Sequence, residues 1–142
     1  MNTIVVGVDG SRTSLAALRY AVREARLRRD RVKVVTVWHV PVVAYGGAFA
    51  PSAPDAREFE RGAEDALAEA LAAAAEEAPD IPVETVLREG DPAHVLLEES
   101  EGADVLVVGC HDYTFIRRLF HHSVSGECAH EARCPVTVVH NG

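Results

Sequence analysis

Residues able to ligate a soft metal crowd one stretch of the sequence: Cys110, His111, His121, His122, Cys128, His130 and Cys134. Thiolates and imidazoles hold zinc or copper, yet the paired Cys-x2-Cys spacing of zinc sites is absent. Cys128 and Cys134 stand where small apolar residues fill helix and strand cores. The run His130-Glu131-Ala132-Arg133-Cys134 has Cys134 in place of the second histidine of a zinc-protease helix, with Pro135 directly behind. No metal centre is expected. Around Ser125 a nucleophile elbow would need glycines where Ser123 and Glu127 stand. The only lysine, Lys33, lies inside a strand-like run, which excludes a P-loop. A dinucleotide fingerprint needs three glycines after the first strand, and only Gly7 and Gly10 are there. No nucleophile, base and orienting group form a recognisable set, so the chain is not expected to be an enzyme.

The chain of 142 residues fits one domain, residues 1–142. With 48% hydrophobic and 25% charged residues its composition is globular. The formal charge of −8 repels nucleic acid and anionic membrane surfaces. No apolar run approaches the roughly 20 residues that cross a bilayer. Met1-Asn2-Thr3 leads straight into strand-like residues without the features of a signal peptide, and three cysteines cannot all pair within the chain. Together these predict a cytoplasmic location, with neither a membrane nor a nucleic acid as partner.

Met1 to Asp9 is a buried-strand pattern followed by the turn and helix start Gly10-Ser11, with helical spacing of apolar residues from Leu15. Val32 to Trp38 reads as a second strand, and Pro41 to Pro54 as a long loop. Asp55 to Ala78 is a helix with Phe59, Ala63, Leu67, Leu71 and Ala74 on one face, stopped by Pro79. Ile81 to Leu87 is a weaker strand suited to a sheet edge. Gly90-Asp91-Pro92 supplies turn, N-cap and first helical residue for a helix to about Glu101. Val105 to Gly109 is a fully buried strand, Ser123 to about Glu131 a helix, and Pro135 to His140 a last strand. The order βαβαβαβαβ predicts an α/β domain with a parallel sheet and helices on both faces.

In such sheets ligands bind beyond the carboxyl ends of the strands, where strand order reverses. The most apolar strands, the first and fourth, are the candidates for the centre, so the loops at Asp9 to Ser11 and Gly109 to Ser123 should meet. Gly109 suits a sharp turn or a ligand contact, Ser123 suits an N-cap, and Asp9 either holds its own turn or faces a ligand. The strand Pro135 to His140 leaves an exposed edge unless it is paired, which dimerisation would cure.

The ordered set Val6-Gly7-Val8-Asp9-Gly10-Ser11, His39-Val40, Gly90-Asp91-Pro92, Ala103 to Gly109, Ser123-Val124-Ser125 and Cys134 to Val139 resembles the universal stress protein family over essentially the whole chain. The resemblance implies a five-stranded parallel sheet in the order 3-2-1-4-5, a homodimer joined through the C-terminal strand, and a stress-related regulatory role without catalysis. Many members bind ATP or AMP through G-x2-G-x9-G-[ST]. Carried onto this chain, those positions are Gly109, Asp112, His122 and Ser123, with Val124 next, so two glycines are replaced. The resemblance also places Asp9 near base and ribose and Val40 against an adenine ring. A side chain at His122 crowds a phosphate, and Asp112 roughly 6 Å away would repel it by about 3 kcal/mol at an effective dielectric near 20. Arg117, Arg118, His111, a protonated His122, or Mg²⁺ held by Asp112 and the phosphates would offset this. The alternative reading is a non-nucleotide dimeric interaction or small-ligand-binding module, its protein partner unknown.

Overall fold

A computed structural model describes residues 1–40, 55–110 and 124–140. Among the described residues nine elements follow in chain order: β1 (Thr3–Gly7), α1 (Arg12–Arg28), β2 (Arg31–Trp38), α2 (Ala56–Glu77), β3 (Val83–Glu89), α3 (Pro92–Glu99), β4 (Val105–Cys110), α4 (Val124–Glu131) and β5 (Val136–His140). The strands form one parallel sheet in the order β3-β2-β1-β4-β5, as the sequence implies. β1 sits at its centre, with Ile4 registered against Val32 of β2 on one side and Val105 of β4 on the other.

Alternation along the strands sorts the core into two layers. Ile4, Val6, Val32, Val34 and Val107 face α1 and α2, while Val5, Val35, Leu106 and Val108 face α3 and α4. Strands buried on both faces read as continuous apolar runs, which is why β1 and β4 are the most apolar of the five. β3, at an edge, is only half-buried.

α1 begins where the Ser11 side chain accepts the Ser14 N–H, and its buried stripe is Ala17, Leu18, Ala21, Val22 and Ala25. α2 differs from the expected stripe. Its buried residues are Ala63, Ala66, Ala70 and Ala74, and Leu71 faces solvent, 37% exposed. Alanines let α2 lie close to its neighbours: a Cβ on Gly10 would sit 3.4 Å from the Cβ of Ala66. The larger leucines fit only at the flank of that contact, where Leu67 packs half-buried.

α3 is capped by Asp91, whose carboxylate accepts the His94 N–H at 3.0 Å, with Pro92 in the first turn. Glu99 at its other end joins Lys33 of β2 at 2.7 Å and Arg88 of β3 at 3.2 Å. The hydrogen bond from Lys33 holds the Glu99 carboxyl below the usual carboxylate range. Its contribution to stability is thus present above the ordinary carboxyl pKa and is lost as pH falls through the lowered one.

Cys128 lies fully buried in α4 and Cys134 packs beside the same cluster. Burial, reinforced by the charge of Glu127, pushes the Cys128 thiol up to about 11. A raised thiol pKa means the folded state retains its proton, so this site favours folding below the ordinary thiol pKa and loses that contribution as pH climbs toward 11. Since the thiolate is the nucleophile, Cys128 is expected to resist iodoacetamide at pH 8 in the folded protein and to react after denaturation. Peptide mapping of the alkylated protein checks this, and labelling of native Cys128 would contradict its burial.

Candidate functional site

Beyond the carboxyl ends of β1 and β2 the described residues enclose a cleft of about 260 Å³. β1 leads into it through Asp9, β2 contributes Thr36, Val37 and Trp38 with His39 directly after the strand, and the amino-terminal half of α2 closes it with Phe59, Gly62, Ala63 and Ala66. Most of this lining is apolar or aromatic, with the polar groups Asp9 and His39 exposed. The switch point, where strand order reverses, lies between β1 and β4; the cleft opens beside it, on the β2 side of β1, and Asp9 borders both.

Two short-range patterns shape the mouth. The Asp9 carboxylate accepts the Ser11 N–H at 2.9 Å, and the Asp9 N–H donates to Ser14 Oγ at 3.3 Å. Ser14 Oγ in turn donates to the Ser11 carbonyl at 2.9 Å. Gly10 adopts φ +86°, a left-handed conformation open to glycine, so the chain reverses sharply from Asp9 into α1. Asp9 therefore holds its own turn and also rims the cleft.

Gly109 lies inside β4, registered against Val139 of β5, rather than at a sharp turn. Its requirement for glycine has another cause. A Cβ there would stand 2.7 Å from the Thr13 carbonyl oxygen and 3.1 Å from the Ser14 nitrogen. The first turn of α1 thus presses directly on the end of β4. The end of β4 at Gly109 thus lies against the segment that follows β1, while residues 111–123, the rest of the loop expected to meet it, lie outside the described residues.

Val40 is half-buried and follows the three β2 residues and His39 that line the cleft, without lining it itself. Val124 opens α4 and is exposed. Asp112, His122 and Ser123 lie outside the described residues, as do His111, Arg117, Arg118 and the loop from Pro41 to Pro54. Asp91 and Asp104, read as structural, cap α3 and pair with Arg28 respectively. Among the described residues no cluster of three or more His, Cys, Asp or Glu is arranged to hold a metal ion, and no helix is long and apolar enough to cross a membrane.

Sequence reading missed Thr36, Trp38 and Phe59. The signal was available for the β2 pair, because residues at the carboxyl end of a strand next to the switch point face the crevice. Phe59, expected on the core face of α2, lines the cleft and is not part of the core clusters.

Comparison with known proteins agrees with this architecture. The family model described as the universal stress protein family matches residues 1–140. A universal stress protein of Mycobacterium tuberculosis is 36% identical over 136 residues, covering 95% of this chain and 44% of that protein. The chain spans less than half the length of the curated relatives it matches. Among solved structures, a universal stress protein in complex with cAMP is 26% identical with a TM-score of 0.74, covering 98% of this chain and 96% of that one. The universal stress protein from Archaeoglobus fulgidus in complex with dAMP is 25% identical with a TM-score of 0.70, covering 98% of each chain. Sequence order, sheet topology and the match along nearly the full length converge: the chain belongs to the universal stress protein family.

Proposed function

We propose that this domain binds an adenine nucleotide, ATP or AMP, at the cleft beyond β1 and β2 and acts as a stress-related regulatory protein without turnover. The observation that carries this reading is the placement of an apolar, aromatic-bordered cleft beyond the carboxyl ends of β1 and β2, beside the switch point, with Asp9 on its rim. An apolar slot with few polar groups suits a flat heterocycle, and a rim carboxylate suits sugar hydroxyls. The relatives in complex with cAMP and dAMP support the same ligand class. Mg²⁺, bridging the phosphates and Asp112, would supply the charge balance that the replaced glycines disturb.

The proposed assembly is a homodimer joined through β5. Supporting it, β5 is an edge strand whose Val136, Thr137, Val138 and Val139 are each only half-buried, an arrangement that leaves a hydrogen-bonding edge open. The thiols of Cys128 and Cys134, neither of them in a disulfide, support a reducing, cytoplasmic setting.

A second reading, a dimeric interaction or small-ligand module that takes no nucleotide, draws on Asp112 and His122 standing where the family's nucleotide motif has glycines. Calorimetric titration with ATP and AMP, each with and without Mg²⁺, separates the two. Saturable binding in the micromolar range is the expected result, whereas no heat at millimolar ligand would leave the second reading.

A further inference from the structure

Thr36 is a polar residue in the most buried part of the cleft, 1% exposed, and its hydroxyl oxygen has no hydrogen-bond partner among the described residues. Its direction follows from the strand. Val32 and Val34 of β2 pack toward α1 and α2, so Thr36, two residues further on, points the same way, into the layer that Phe59 and Ala63 of α2 close off. A buried hydroxyl without a partner is destabilising, and most buried polar groups in folded proteins are paired. An unpaired one on the wall of a ligand-sized cleft is a group whose partner arrives with the ligand.

We propose that the Thr36 hydroxyl is the specificity-determining contact for the purine base, pairing with a nitrogen on the base's edge while the ring lies in the cleft between the end of β2 and α2. This rests on the nucleotide reading and deepens it. Size and polarity argue for base over phosphate. The cleft, at about 260 Å³, falls just below the roughly 300–1,000 Å³ of whole-ligand pockets, so it admits the base and leaves sugar and phosphates to run past Asp9 toward Gly109. Among the described residues its lining offers a phosphate no lysine or arginine. Threonine can donate or accept, so it pairs with either an amino group or a ring nitrogen.

The test compares wild type, Thr36→Val and Thr36→Ser by calorimetric titration with AMP and by thermal unfolding without ligand. Valine keeps the shape and removes the hydroxyl. Thr36→Val is expected to weaken AMP binding about three- to tenfold while leaving the ligand-free Tm unchanged or higher, because an unpaired polar group has been removed. Thr36→Ser, which keeps the hydroxyl, is expected to retain more affinity than Thr36→Val. Equal AMP affinity in wild type and Thr36→Val, or a serine variant no better than the valine one, overturns the role of Thr36. A lowered ligand-free Tm in Thr36→Val also overturns it, since the hydroxyl would then have an internal partner. Failure of wild type to bind AMP overturns the nucleotide reading itself, and that result is distinct from the other three.

Discussion

Replacing Gly109 with alanine is expected to destabilise the protein by about 1–3 kcal/mol, the cost of overpacking a fitted interior, and to lower Tm by several degrees. The added methyl would lie 2.7 Å from the Thr13 carbonyl oxygen and 2.8 Å from its carbon. These are backbone atoms in the first turn of α1, fixed by the Ser11 and Ser14 hydrogen bonds, so relief requires moving the helix start off β4. Gly7→Ala is the control. There the new Cβ would meet Leu96 Cδ1 at 2.9 Å, the far end of a side chain that rotates, and the loss is expected to be smaller. Because the first turn of α1 also carries the Asp9 turn, Gly109→Ala should weaken nucleotide binding as well. Urea unfolding of both variants measures the difference. A Gly109→Ala protein as stable as Gly7→Ala would mean that the approach of α1 to β4 is looser than described.

That glycine illustrates what a single sequence can and cannot convey. Its position at the end of an apolar run was legible, and so was the strand order that seats β1 beside β4, because two-sided burial writes itself as the uninterrupted runs Ile4-Val5-Val6 and Val105-Leu106-Val107-Val108. The reason for glycine was not legible, since it depends on how near a helix remote in sequence comes to rest. The same gap explains α2. A 3.6-residue period fits the leucine stripe and the alanine stripe almost equally, and only the tight approach to Gly10 selects the alanines. Thr36 was hidden for a related cause: one threonine among valines of a strand is ordinary β composition, and its unpaired state becomes visible only when every neighbour is placed.

The joint replacement of Asp112 and His122 by glycine, the residue type of the family's motif, is expected to tighten ATP binding by up to about a hundredfold. The size follows from the electrostatic term: removing a unit negative charge roughly 6 Å from a phosphate recovers about 3 kcal/mol at an effective dielectric near 20, and each 1.4 kcal/mol is about tenfold. Removing the imidazole adds backbone access for the phosphate, because glycine lets N–H groups approach an anion without a Cβ in the way. Charge predicts the order of the effects. ATP carries more negative charge than AMP, so its gain should be larger, and the gain should shrink as salt rises because screening shortens the reach of the repulsion. Titrations of both nucleotides in low and high salt measure this. Mg²⁺ reverses the sign of one comparison: if Asp112 holds the ion against the phosphates, the single replacement Asp112→Gly weakens binding of the Mg²⁺ complex while strengthening that of free ATP. A double variant with unchanged affinity for ATP in both conditions would remove the phosphate obstruction from the account and leave base recognition at Thr36 as the determinant to be measured.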